Sequence, residues 1–437
     1  MLEDSTSKKA WVVAVDMGYG HQRTAYPLRS FAAGGKVVNI NRYKGIPKKD
    51  QRIWETTRFL YEFISRFRRV PFIGSKVFAI LDSFQKIRGY YPRRDLSQPA
   101  LSGRNMFRLI RKGWGKDLIE RLKKINSHLP FITTFFTPAF MAEYYDYQGD
   151  IYCVICDADI ARPWASLHPS QSRIKYFVPC AWARDRLKLY GVPPANIFFT
   201  GYPLPPENIG GENMPILKKD LAYRLLNLDP SGKYRKLYGP LIKNYLGELP
   251  KMSNHPLTVM FSIGGAGAQK ELVAEIINSL GEKIRYKQLR MIISVGTHKE
   301  LRTYFQTHLK RVTLDDGVDI LYGETVEEYF RAFNNALHTI DVLWTKPSEL
   351  TFYAGLGIPI IIAPPLGSQE DFNKRFILHI GAGTEQDNPH YTHQWLYDLL
   401  YAGDLAEMAM QGFVEMKILG TYNIQKIISG QRHALVS

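Results

Sequence analysis

Long hydrophobic runs are missing from this sequence. The longest, Ile358 to Pro365, falls far short of the roughly 18 apolar residues that a membrane-spanning helix needs, and it reads as a buried strand. The opening MLEDSTSKK is polar and has no apolar core, so no secretory signal is expected. Cysteine is equally scarce. Cys153, Cys156 and Cys180 make no disulfide framework, which fits a reduced, cytosolic chain. Cys153 and Cys156 form a C-x-x-C, but no second pair or histidine cluster completes a zinc site. Alternation along a strand would send them to opposite faces, as core cysteines.

Carboxylates are also in deficit. The 57 Lys and Arg outnumber 41 Asp and Glu, giving a net charge of +16 and a partner expected to be acidic: nucleic acid, anionic lipid or a phosphorylated ligand. Three quarters of that excess lies between Arg52 and Lys124, where eighteen cations face six carboxylates. There the cations interleave with Trp54, Phe59, Phe67, Phe72, Phe107 and Trp114. Apolar residues at near-helical spacing between arginines read as an interfacial membrane element, with Arg66, Phe67, Arg68, Arg69 and Trp114 as its contacts. The plainer reading is a solvated helical face over an ordinary core. Nucleic acid is the third possibility, and no binding motif supports it.

What is present is a globular composition. A 45% hydrophobic fraction supplies sizeable cores, and 437 residues are enough for two or three domains. Strands alternate with helices twice. The first series begins at Trp11–Val15 and runs through Val37–Asn41, Ile125–Thr134, Ile151–Cys156, Arg173–Val178 and Asn196–Thr200. The second runs through Leu257–Ile263, Arg290–Val295, Val318–Leu321, Thr339–Leu343 and Pro359–Ala363. This α/β rhythm predicts two parallel, doubly wound sheets. The boundaries read as 1–202, a Pro/Gly/Asn-rich linker and insertion over 203–256, a second domain over 257–403, and a helical tail over 404–437.

Three constellations carry chemistry. The first is DMGYGH at the end of the first strand, where Gly18 and Gly20 let a ligand approach the backbone and His21 opens a helix. A tight turn with a capping histidine is the alternative. The second is FSIGGAGAQ, whose Gly264 and Gly265 can bare amides to phosphate oxygens or simply make a turn. The third is TKPSELTFYAGLGIPIIIAPPLGSQEDFNK. Its Thr345, Lys346, Ser348, Glu349, Gln369, Glu370 and Asn373 fall at the carboxyl ends of strands, where open α/β sheets bind ligands. Any one of them could instead be ordinary loop polarity or a helix cap.

These stretches resemble the GT-B glycosyltransferases that include monogalactosyldiacylglycerol synthase, the processive diacylglycerol glucosyltransferases and the lipid-linked N-acetylglucosaminyltransferase of peptidoglycan synthesis. DMGYGHQRTA is similar to the family's G-x-G-H-x-x-A-A loop. ICDADIARPWASLHP followed by YFVPCAWARDRLKLYGVPPANIFFTGYPL is similar to its central run. TKPSELT…GIPIIIAPPLGSQEDFN is similar to its donor signature. The resemblance implies a GT-B fold of two Rossmann-like domains facing a cleft. It implies an inverting hexosyl transfer from a nucleotide-sugar, UDP-linked in the family, to a lipid acceptor such as diacylglycerol; a non-catalytic nucleotide-sugar-binding protein, or a nucleotide-sugar epimerase or hydrolase on the same fold, is the alternative. No metal and no cofactor are expected, nor a nucleic-acid partner. The protein would sit on the anionic inner face of the membrane as a peripheral cytoplasmic enzyme. His21 would be the acceptor-side base or a transition-state group, and Asp157 the matching aspartate of the acceptor domain. Gly264 and Gly265 would cradle the diphosphate, with Thr345, Lys346, Gln369 and Asn373 lining the donor site. Two departures stand out. Ser348 and Glu349 replace the family's paired glycines, and Ala354 occupies the place of its ribose-binding glutamate, for which Glu349 is the nearest substitute.

Overall fold

The computed structural model describes residues 9–67, 87–264, 269–365 and 368–430, with side chains 60–67 and 368–369 excepted. Two compact units emerge, each built on a six-stranded, wholly parallel sheet. Both are doubly wound α/β units, as the alternation of strands and helices predicts.

The first unit strings together β1 (Trp11–Ala14), α1 (Tyr19–Ala25), β2 (Val38–Asn39), α2 (Lys48–Phe67), α3 (Leu101–Arg111), α4 (Lys116–Asn126), β3 (Phe131–Thr133), α5 (Phe136–Tyr144), β4 (Ile151–Val154), β5 (Lys175–Val178), α6 (Ala181–Leu189) and β6 (Ile197–Phe199). Spatially the strands run β2-β1-β3-β4-β5-β6. The central strands β1, β3 and β4 are wholly buried, as apolar strands covered on both faces must be, while the edge strands β2 and β6 are half-buried. The expected strand from Ile125 is shorter than its apolar run. Leu118, Ile119 and Leu122 recur at helical spacing and bury one face of α4, which carries the chain through Asn126. A bidentate ion pair, Arg186 Nε and Nη2 to the Asp159 carboxylate at 2.8 and 2.7 Å, is sealed inside this unit.

The second unit begins with helices. Residues 203–256 read as a linker, yet they contribute α7 (Pro206–Ile209), α8 (Pro215–Leu228) and α9 (Lys233–Leu246) to the body of this unit. Arg224 of α8 explains why. It is 1% exposed, and its guanidinium donates to the carbonyls of Leu337, Ile340, Leu356 and Gly357. Asn208 Nδ2 donates to the Asn334 carbonyl at 2.8 Å, and Asp220 meets His338 Nδ1 at 2.6 Å. Nothing in the composition of the segment announces these long-range partners.

Next come β7 (Thr258–Ser262), α10 (Lys270–Arg285), β8 (Arg290–Gly296), α11 (Lys299–Val312), β9 (Val318–Tyr322), α12 (Val326–Ala336), β10 (Val342–Thr345), β11 (Ile360–Ile362), α13 (Ser368–His379), β12 (Gly383–Glu385), α14 (Thr392–Ala402) and α15 (Asp404–Glu415). The order is β12-β11-β10-β7-β8-β9. Sequence reading misses β12, whose three residues Gly-Thr-Glu on a sheet edge carry no apolar signal.

The tail read as one helical segment is divided between the units. Helix Asp404–Glu415 stays with the second, while Gly420–Ile428 belongs to the first. Ile424, Ile427 and Ile428 join Val12, Ala14, Leu28 and Phe31 in one core cluster. Thr421 Oγ1 donates to the Leu204 carbonyl at 2.7 Å, and Asn423 Nδ2 to Thr200 at 2.8 Å.

Arg224→Met keeps the side-chain volume but unpairs four buried carbonyls, each costing about 1–3 kcal/mol. It is expected to lower the stability of the second unit by on the order of 3 kcal/mol or more, read as a shifted midpoint in urea denaturation followed by tryptophan fluorescence.

Candidate active site

In the first unit the parallel register sets the site. Val12 pairs with Ile132 and Val13 with Thr133, while Thr133 pairs in turn with Cys153. The carboxyl ends of β1, β3 and β4 therefore deliver the loops at His21, Thr134 and Cys156 to one place, as open α/β sheets do. Gly18 precedes α1 with φ +99°, a conformation L side chains rarely adopt, and it turns the chain from strand into helix.

His21 Nδ1 lies 2.8 Å from the Thr134 carbonyl oxygen. A carbonyl only accepts, so Nδ1 carries the hydrogen and donates it, which leaves the lone pair on Nε2. Thr134 Oγ1 donates back to the His21 carbonyl at 2.9 Å, so the residue is held at both ends. Phe135 meets the imidazole edge-on at 4.8 Å, and Trp164 lies at 6.2 Å. The residue retains some accessible surface, but the ring is packed among protein atoms, and this desolvation drives its pKa down to about 4 against the upward pull of the Thr134 bond. At neutral pH it is an uncharged base with a fixed tautomer.

Cys156 Sγ sits 3.5 Å from His21 Nδ1 and 3.8 Å from Asp157 Oδ2. The structure thus brings the two expected catalytic residues together with a thiol between them. Sequence reading assigns Cys156 to the core, and it is buried, but it lies beyond the last residue of β4 and faces His21. Thr134, Phe135 and Trp164 were not among the expected site residues. Asp16 anchors the loop below: its carboxylate pairs with Arg42 at 2.5 Å and Arg58 at 3.2 Å and accepts from Gln22 at 3.1 Å.

In the second unit β7 and β10 are parallel neighbours, with Ser262 opposite Thr345. Gly264 and Lys346 follow side by side at the carboxyl ends. A Cβ on Gly264 would stand 2.6 Å from Lys346 Cε, so the glycine is what lets the lysine stem lie along the chain end. The other expected donor residues divide. Thr345 is 1% exposed and its hydroxyl donates to the Ser262 carbonyl at 3.4 Å, a contact inside the sheet. Ser348 Oγ caps the 3₁₀ helix Glu349–Leu356, accepting from the Leu350 amide at 3.4 Å. Glu349 is buried at that helix's first position. Asn373 is buried too, donating to the Pro347 carbonyl at 3.4 Å and so bracing the turn behind Lys346. Glu370 lies in the first turn of α13. Gly265 and the side chain of Gln369 lie outside the described residues.

Ala354 is fully buried against α15. A Cβ on Gly412 would approach the Ala354 carbonyl to 2.3 Å and its Cβ to 3.1 Å, so the glycine is what lets α15 lie this close to the 3₁₀ helix.

Among the expected membrane contacts, Trp114 is corrected. It is 3% exposed and its ring packs on Trp54 at 4.7 Å, because α2 and the chain entering α4 close over a small aromatic core. Arg68 and Arg69, and the side chains of Arg66 and Phe67, lie outside the described residues. Helix α3 exposes Leu101, Arg104, Arg108, Leu109 and Arg111.

A family model described as a domain of unknown function (DUF6938) matches residues 250–336, from just before β7 to the end of α12. The processive diacylglycerol beta-glucosyltransferase of Bacillus pumilus is 22% identical over 386 residues, covering 86% of this chain and 83% of that protein. The enzyme of the same name from Bacillus subtilis is 22% identical over 387 residues with the same coverage. This chain resembles the diacylglycerol glucosyltransferases. Among solved structures, Acinetobacter baumannii MurG aligns over 97% of this chain and 99% of its own at 12% identity, with a TM-score of 0.49. A Neisseria meningitidis UDP-GlcNAc 2-epimerase aligns over 77% of this chain and 83% of its own at 14% identity, with a TM-score of 0.45.

The depressed pKa has a definite sign. Unfolded, His21 takes up a proton below its ordinary 6.5, whereas folded it stays neutral until about 4. Acidification through that window therefore draws a proton onto the unfolded chain and lowers stability. An NMR titration of the ring is expected to give a midpoint near 4 and the Nδ1–H tautomer above it. His21→Gln should flatten the fall in stability between pH 6.5 and 4.

Proposed function

We propose that this protein is an inverting hexosyltransferase that moves a sugar from a nucleotide-sugar, of the UDP type, to the hydroxyl of a lipid such as diacylglycerol at an anionic membrane surface. The observation that carries the proposal is the neutral, tautomer-fixed His21. Its Nε2 takes the proton from the acceptor hydroxyl as that oxygen attacks the anomeric carbon. The bond from that carbon to the diphosphate breaks, and the nucleoside diphosphate leaves with the electron pair. Asp157, beside Cys156, gives the imidazolium that forms a nearby negative charge. Lys346, with its stem along Gly264, supplies positive charge for the diphosphate. Glu349, Glu370, Gln369 and Asn373 belong to the donor side in this reading, and no step calls on a metal or cofactor.

The lipid acceptor rests on the names of the Bacillus relatives and on the basic, partly apolar face of α3. That face supports a peripheral position on the cytoplasmic leaflet. No described helix is long and apolar enough to cross a membrane. A second reading, nucleotide-sugar binding without transfer, is favoured by one observation: Ala354 is packed where a ribose-binding carboxylate was expected.

The test is transfer of labelled sugar from a panel of nucleotide-sugars to diacylglycerol in anionic vesicles. His21→Ala is expected to lower kcat by about 10²–10⁴ while leaving donor affinity unchanged. Lys346→Met should weaken donor binding by about tenfold or more, the loss of a charge-assisted contact of ~1.5–3 kcal/mol. Tight donor binding with no turnover on any acceptor would establish the second reading instead.

A further inference from the structure

Helix α9, in the segment that reads as a linker, has an unusual surface. Of its fourteen residues only Tyr234 and Ile242 are buried. Leu237 is 68% exposed, and Tyr238, Leu241 and Tyr245 stand out beside it. A kink at Tyr238, with Pro240 just beyond it, divides the helix: Leu237 stands exposed before it, and Leu241 and Tyr245, one turn apart, share a face after it. Near the start of the helix the Tyr401 carbonyl accepts from Ser231 Oγ, and Tyr401 is exposed too. At the far end Tyr245 packs edge-on against the Phe413 ring, and the next residue, Val414, is exposed.

The charge on α9 has one sign. Lys233, Arg235, Lys236 and Lys243 are its ionisable side chains other than tyrosine, and the helix contains no carboxylate. Arg235 is held by Asp229 at 3.1 Å and Lys243 by Glu248 at 2.5 Å. Lys233 and Lys236 have no acidic partner among the described residues, and they flank exposed Leu237. Leucine and tyrosine beside lysines, on a helix that itself carries no carboxylate, match the chemistry of a headgroup interface. Tyrosine spans the boundary there, and lysine meets lipid phosphate.

We infer that the exposed face of α9 is a lipid-contacting surface of the second unit, taking an anionic bilayer as its partner. This surface is separate from the basic stretch of the first unit, and it stands whether or not the proposed transfer reaction occurs.

The native thiols are all buried, so Leu237→Cys in the full chain can carry a single environment-sensitive nitrobenzoxadiazole label. With vesicles of phosphatidylglycerol and phosphatidylcholine, the label is expected to shift to the blue and brighten. The response should shrink in high salt and be absent with phosphatidylcholine alone. Adding Lys233→Gln and Lys236→Gln to the labelled chain should weaken the vesicle concentration dependence of the signal by roughly tenfold. Protein that floats with vesicles while the label stays unchanged would overturn this inference and leave a first-unit membrane contact standing. Absence of flotation would overturn both. A blue shift that grows with protein concentration without vesicles would make the occupant a second copy of the chain and overturn the lipid assignment.

Discussion

The Thr134 carbonyl decides the chemistry available to the first unit. By accepting from His21 Nδ1 it fixes the proton on one ring nitrogen and the lone pair on the other. The carbonyl stands there because β3 is bonded in parallel to β1, one strand over, with its end level with the DMGYGH loop. Burial then sets the ring's charge: desolvation outweighs the favourable hydrogen bond and keeps the imidazole neutral. Register, tautomer and protonation state are thus linked steps, each set by the one before.

The second unit uses the same principle with different groups. The β7–β10 pairing aligns Ser262 with Thr345, and the residues just beyond bring a glycine against a lysine. Several polar residues that look like ligands are spent on holding this arrangement. Thr345 bonds within the sheet, Ser348 caps a 3₁₀ helix, and Asn373 holds the Pro347 carbonyl. Lys346 then rests on a turn with little freedom, which favours a charge-recognition role. The Ala354–Gly412 contact shows how close this packing is: a Cβ on Gly412 would stand 2.3 Å from the Ala354 carbonyl.

The fold was largely legible. Alternating apolar runs and helical stretches located the strands because parallel strands buried on both faces are continuously apolar. The exceptions follow from the same rule. β12 is a polar edge strand with no such run, and the apolar residues before β3 belong to a helix whose spacing is 3.6. Residues 203–256 looked like a linker because their Pro and Gly content is high. Their place in the second unit rests on Arg224 and on carbonyls more than a hundred residues away.

By itself the sequence determined two doubly wound sheets, the loops at their carboxyl ends, the candidate pair His21 and Asp157, and the Gly264–Lys346 frame. These are written in local pattern and short motifs. Only the tertiary structure decided that Thr134 orients His21, that Cys156 bridges it to Asp157, that Trp114 is core, and that the last helix completes the first unit. Each of those depends on a contact between residues far apart in the chain, and local periodicity carries no record of which distant carbonyl or ring a side chain will meet.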